Sequence, residues 1–136
     1  MPIIILVDDG DEDHYLFHRA VNDISNQCII NYANCGNELF DLLYKVTPEF
    51  IFLDISPPAE EGLTCLKKLR AQTEYDSIPI LMYSSSLKYM EECYSNKANF
   101  YIKKSTSYPI ILTALKKVLL LKSPGSHPPI EQFVIE

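Results

Sequence analysis

Apolar residues in this chain fall into two alternating patterns. Short unbroken runs are separated by stretches in which apolar positions recur three and four apart. Ile3–Val7 is an unbroken run, as expected of a strand buried on both faces of a sheet. From Glu12 to Ile24, the positions Leu16, Phe17, Ala20, Val21 and Ile24 draw a helical stripe. Cys28–Tyr32 reads as a second strand, and Gly36–Val46 as a helix with Leu39, Phe40, Leu43 and Val46 turned inward. Pro48 breaks that helix. Phe50–Ile55 is a third strand, apolar until Asp54, and Gly62–Gln72 a helix with Leu63, Leu66 and Leu69 on one side. Ile78–Tyr83 is a fourth strand that runs into Ser84, Ser85 and Ser86. Lys88–Asn96 predicts a weaker helix, Asn99–Ile102 a short fifth strand and Tyr108–Lys122 a strong final helix.

Five strands and five helices in strict alternation predict an α/β fold: a doubly wound parallel sheet with helices on both faces and right-handed crossovers. Residues 1–122 form one domain on this reading. Ser123–Glu136, with Pro124, Gly125, Pro128 and Pro129, reads as an irregular tail too short for a second domain. No internal repeat is visible.

Composition narrows the classes of function. At 136 residues the chain can bury a core without staples. Its net charge of −6, with no basic stripe, argues against nucleic acid as a partner. No apolar window approaches the roughly 20 residues of a membrane span, and no signal peptide precedes the first strand, so a cytoplasmic protein is expected. Cys28, Cys35, Cys65 and Cys93 show no CxxC spacing, which argues for reduced thiols rather than a zinc site.

The candidate chemistry sits where the predicted strands end. Asp8 and Asp9 follow the first strand, Asp54 lies at the end of the third, Ser84 ends the fourth and Lys104 ends the fifth. Ligands of an open parallel sheet bind outside those carboxyl ends. Converging carboxylates repel unless a cation sits among them, and hard oxygen ligands suit Mg²⁺. A carboxylate can also attack phosphorus, and the charge that develops needs a metal ion, an ammonium and a hydroxyl donor. Asp8, Asp9, Asp54, Lys104 and Ser84 supply that set.

At these residues the chain resembles the receiver domain of two-component response regulators. The matching pieces are ILVDDGDED, PEFIFLDISPPAEEGL, IPILMYSSS and ANFYIKKS, and the resemblance covers about residues 3–122. It implies a five-stranded flavodoxin-like sheet of order 2-1-3-4-5. It implies Asp54 as phosphoacceptor and a Mg²⁺ ion bound by Asp9, by Asp8 partly through water, by Asp54 and by the backbone carbonyl of Ser56. Ser84 would donate its hydroxyl to the phosphoryl group, Lys104 would pair with a phosphoryl oxygen, and Tyr101 would be the switch aromatic. Lys104 is preferred to Lys103 because it sets Ala98 on the family's alanine and Tyr101 on its aromatic. Ser105, Lys97 and Pro57 stand where the family has proline, glycine and, often, methionine.

The resemblance implies a sensor histidine kinase or phosphotransfer protein as donor and a downstream protein as target. The signal would leave by the face of helix 4, strand 5 and helix 5. The Leu119–Leu121 run carries more apolar surface than one helix face needs, and marks either a homodimer contact through the last helix or packing with the tail. His14 and His18, four apart on the first helix and near the acids, read as a solvated face in preference to a metal pair or a phosphohistidine. Two other functions fit parts of the pattern. A phosphorylation-independent interaction module is the alternative that Ser105 and Pro57 favour. A haloacid-dehalogenase-type phosphatase wants an acid where Ser56 stands and a cap domain.

Overall fold

A computed structural model describes residues 2–8, 14–55, 60–121 and 125–135. Strand β1 (Ile3–Val7) is followed by helix α1 (Tyr15–Ile24), β2 (Ile29–Ala33), α2 (Asn37–Lys45), β3 (Phe50–Ile55), α3 (Glu60–Arg70), β4 (Ile80–Ser84), α4 (Met90–Ser95), β5 (Phe100–Lys103), α5 (Tyr108–Leu119) and β6 (Val134–Ile135). The sheet is parallel throughout, in the order β2-β1-β3-β4-β5-β6.

The unbroken apolar runs take the middle of the sheet, as expected. β3 and β4 are buried along their whole length and β1 along all but its first residue. Alternate residues serve opposite layers. Ile4, Leu6, Phe50 and Phe52 pack with Phe17 and Val21 of α1 and with Leu115 and Val118 of α5. Ile5, Val7, Ile51 and Leu53 pack with Leu39 of α2, Leu66 and Leu69 of α3 and Cys93 of α4. The cysteines are free thiols, and burial, with Glu92 adding to it, pushes the Cys93 thiol up to about 12.

Most element boundaries lie one to three residues from the expected ones, and two of the shifts have a clear local cause. β4 begins at Ile80 rather than Ile78, because Pro79 has no N–H for a ladder and uses its carbonyl to accept from Ile51 N at 2.9 Å. α1 begins at Tyr15, with His14 in the non-helical position before it. Gly36, before α2, has φ +117°, a conformation that only glycine adopts without strain. Lys97 closes α4 at φ +67°, so the glycine found there in the family has a conformational reason.

The expected five strands are six, and the expected irregular tail is in part a strand. Val134 pairs with Tyr101 and Ile135 with Ile102, and Tyr101 N donates to Phe133 O at 3.0 Å. Phe133 is fully buried against Tyr94 and Tyr101, at ring separations of 5.1 and 6.1 Å. A two-residue strand shows no alternation that a sequence reading could detect. It forms because the outer edge of β5 presents unpaired backbone groups and Phe133 supplies the apolar anchor.

Candidate functional site

Parallel strands bring the polar strand ends to one rim. Asp54 is the penultimate residue of β3, opposite Tyr83, and Ser84 ends β4 opposite Ile55 and Lys103. Asp8 directly follows β1, with its N–H donating to Ala33 O at 3.1 Å. Lys104 directly follows β5, and its N–H donates to Ser84 O at 2.7 Å, which fixes where its side chain starts. Gly62 of α3 lets that helix approach the end of β3: a Cβ there would lie 3.3 Å from Ile55 Cγ1 and 3.5 Å from Asp54 O.

The side chains converge as well. Lys104 Nζ donates to Asp54 Oδ1 at 2.6 Å, with the Asp54 side chain only 1% exposed. The same ammonium stands 5.2 Å from the centre of the Tyr83 ring, a cation–π contact. Lys103, the alternative lysine, is exposed. Ser84 is buried and its Oγ accepts from Ser86 N at 3.2 Å. The Tyr101 ring is buried and its hydroxyl donates to Ser86 O at 2.5 Å, so Ser84 and Tyr101 hold the N–H and the carbonyl of the same residue, Ser86. Burial raises the Tyr101 phenol above its ordinary value. Asp9 and Ser56, both expected metal ligands, lie outside the described residues.

His14 corrects the expectation of a solvated histidine pair. Its side chain is 5% exposed, and its Nε2 is hydrogen-bonded to Asp8 Oδ2 and 3.7 Å from Asp54 Oδ2. The cause is local. His14 sits just before the first helical residue, so its side chain leans back over the strand ends instead of following the stripe of α1. His18, one turn on, is half-buried and bonded to the Tyr32 hydroxyl; burial, then the neighbouring His14, lowers its pKa. The position six residues after Asp8, at the mouth of a helix, was the available signal for His14.

Among the described residues, Asp8, His14 and Asp54 each offer one ligand atom, all within 4.8 Å of one another. Two carboxylates and an imidazole at that spacing fit a divalent cation. Beside them, a cleft of about 540 Å³ is lined by Asp8, Asp54, Asn34, Cys35, Thr64 and Lys68 among others.

This is the rim of an open parallel sheet holding a buried carboxylate, a second acid and a lysine. The profile of the family described as response regulator receiver domain matches residues 4–116, and the chain belongs to that family. The chain is 35% identical over 89 residues to a protein-glutamate methylesterase/protein-glutamine glutaminase of Shewanella denitrificans, covering 62% of this chain and 21% of that protein. It is 27% identical over 106 residues to the sensory transduction protein LytT of Oceanobacillus iheyensis, covering 76% of this chain and 43% of that one. The fold matches the response regulator RPA3017 in red light signaling of R. palustris, with a TM-score of 0.76 at 19% identity over 95% of this chain and 99% of that one. The chain thus spans about a fifth of the first relative's length. Among the described residues, no helix is long and apolar enough to cross a membrane.

Proposed function

We propose that the chain is a phosphorylation switch in which Asp54 accepts a phosphoryl group from the phosphohistidine of a sensor histidine kinase or phosphotransfer protein. A carboxylate oxygen of Asp54 attacks phosphorus. The P–N bond breaks with its electron pair returning to the imidazole of the donor, and an acyl phosphate remains on Asp54. One observation carries this reading: the Lys104 ammonium lies 2.6 Å from the buried Asp54 carboxylate. There it can meet the negative charge of the incoming phosphoryl oxygens.

Asp8 and Asp54, with Asp9 and the Ser56 carbonyl, would hold Mg²⁺, which when bound neutralises charge on the phosphoryl oxygens. Ser84 Oγ exchanges its bond with Ser86 N for one to a phosphoryl oxygen. Because Tyr101 holds Ser86 O, that exchange reaches β5 and biases the face of α4, β5 and α5 toward a downstream protein. Water later hydrolyses the acyl phosphate and resets the switch. A homodimer through the end of α5 belongs to the same proposal, supported by Leu120 at 69% and Leu121 at 41% exposure.

The test is intact-mass measurement after incubation with Mg²⁺ and acetyl phosphate or phosphoramidate. Wild type gains one phosphoryl mass, Asp54→Asn gains none, and the NMR signals of Tyr101 shift in the wild type alone. An unchanged wild-type mass with both small donors and with a phosphorylated kinase rejects the reading and leaves a binding module indifferent to phosphate.

A further inference from the structure

The metal seat implied by the family is built of oxygen. This chain brings a nitrogen to it. From the position of His14 we infer that its Nε2 is a metal ligand, and that it turns the seat toward first-row transition dications such as Mn²⁺ and Co²⁺ at the expense of Mg²⁺. The inference rests on the metal-assisted reading of the site given above and specifies which ion that site takes.

Geometry carries the argument. The His14 Nε2 atom touches Asp8 Oδ2 and stands 3.7 Å from Asp54 Oδ2. The three ligand atoms lie within 4.8 Å of one another. An octahedral ion with bonds near 2.1 Å separates neighbouring ligands by about 3 Å and opposite ones by about 4.2 Å. The ion therefore fits among these atoms once the direct Asp8–His14 contact opens. The imidazole is also held in place. His14 O accepts from His18 N at 2.9 Å, and the ring stacks on Tyr32 at 6.0 Å between centroids and 25° between planes. The two oxygens of Asp54 face different partners: Oδ1 takes the Lys104 ammonium and Oδ2 faces His14. Ion and lysine thus need not compete for one atom.

Chemistry sets the direction. Mg²⁺ is a hard ion that favours carboxylate, carbonyl and water oxygen, whereas imidazole nitrogen suits the transition dications, and affinity at such sites rises along the first row. Replacing one oxygen or water ligand by His14 Nε2 therefore raises Mn²⁺ and Co²⁺ affinity far more than Mg²⁺ affinity.

The test is direct titration of the whole chain with Mg²⁺, Mn²⁺ and Co²⁺ by calorimetry, with pulsed EPR of the bound Mn²⁺. In the wild type, Mn²⁺ binds at least about a hundredfold tighter than Mg²⁺ and its spectrum carries a histidine ¹⁴N coupling. In His14→Gln, Mn²⁺ affinity falls about tenfold or more, Mg²⁺ affinity moves less than about threefold and the coupling vanishes. The coupling survives in His18→Gln. An unchanged Mn²⁺ to Mg²⁺ ratio in His14→Gln overturns the inference, and so does tighter binding of every ion, which would make His14 an occupant of the seat. Loss of binding by all ions in the wild type rejects the metal seat itself, while uptake of phosphate by Asp54, scored by mass, is judged separately.

Discussion

Arg70 and Asp54 are charged groups taken out of bulk water at opposite ends of one sheet, and they are satisfied by opposite means. Arg70 closes α3 near the amino ends of β4 and β5. It donates to Lys97 O at 3.0 Å, Tyr75 O at 2.9 Å, Ile78 O at 3.0 Å and Asn99 Oδ1 at 2.7 Å. Asn99 Oδ1 also accepts from Ile80 N at 2.8 Å, and Asn99 Nδ2 donates to Gly125 O at 3.1 Å and Ser126 O at 3.3 Å. Burial pulls the Arg70 guanidinium below its ordinary value, and Asp76 pulls the other way. Those partners are backbone carbonyls and an amide, which neither titrate nor leave. Asp54 is met by the tips of a lysine and a histidine, both able to release it. Fixed backbone and amide partners mark a structural hub; side-chain tips that can swing away mark a site where an ion or a phosphate can take over.

If the comparison holds, substitutions separate cleanly. Asn99→Leu should cost the most stability, about 4 kcal/mol in urea unfolding, because it strands the buried Ile80 N–H and three other groups. Its folded fraction should still take up phosphate at the wild-type rate; a slow rate would merge the two clusters. Phe133→Ala should cost about 3 kcal/mol through the cavity beside Tyr94 and Tyr101, and should speed hydrogen exchange at the Tyr101 amide, whose acceptor is Phe133 O. Lys104→Met should differ in kind: phosphoryl uptake slower by about a hundredfold, with metal-free stability lowered by about 2–3 kcal/mol because the buried Asp54 carboxylate loses its ammonium, a loss that an added divalent cation offsets. The smallest effect is a gain. Lys97→Gly should stabilise by about 1 kcal/mol, since glycine carries φ +67° without strain. A loss on thermal melting would show that the lysine side chain holds the corner.

Most of the fold was legible because its signals are local. β1 and β3 announce themselves as apolar runs, and Asp54, Ser84 and Lys104 stand at strand ends that any parallel sheet brings to one rim. Three features were not legible, each for a physical reason. The side chain of His14 escapes the stripe of α1 because it precedes the helix. The Arg70–Asn99 hub recruits backbone atoms, which carry no residue identity to read. β6 is set by Phe133 and by the open side of β5, and neither forms a pattern within two residues.

That short strand also governs how copies of the protein can meet. An edge only two residues long, preceded by Pro128 and Pro129, is a poor template for an incoming chain. Among the described residues, β2 is the one long edge left open, with Ile29 and Tyr32 at 39% and 42% exposure. Two molecules zipped together along β2 would shield each other's last sticky border and offer a third nowhere to attach. Edge-to-edge pairing of native copies would then stop at two, because neither the two-residue β6 edge nor a covered β2 offers a long row of bare backbone groups.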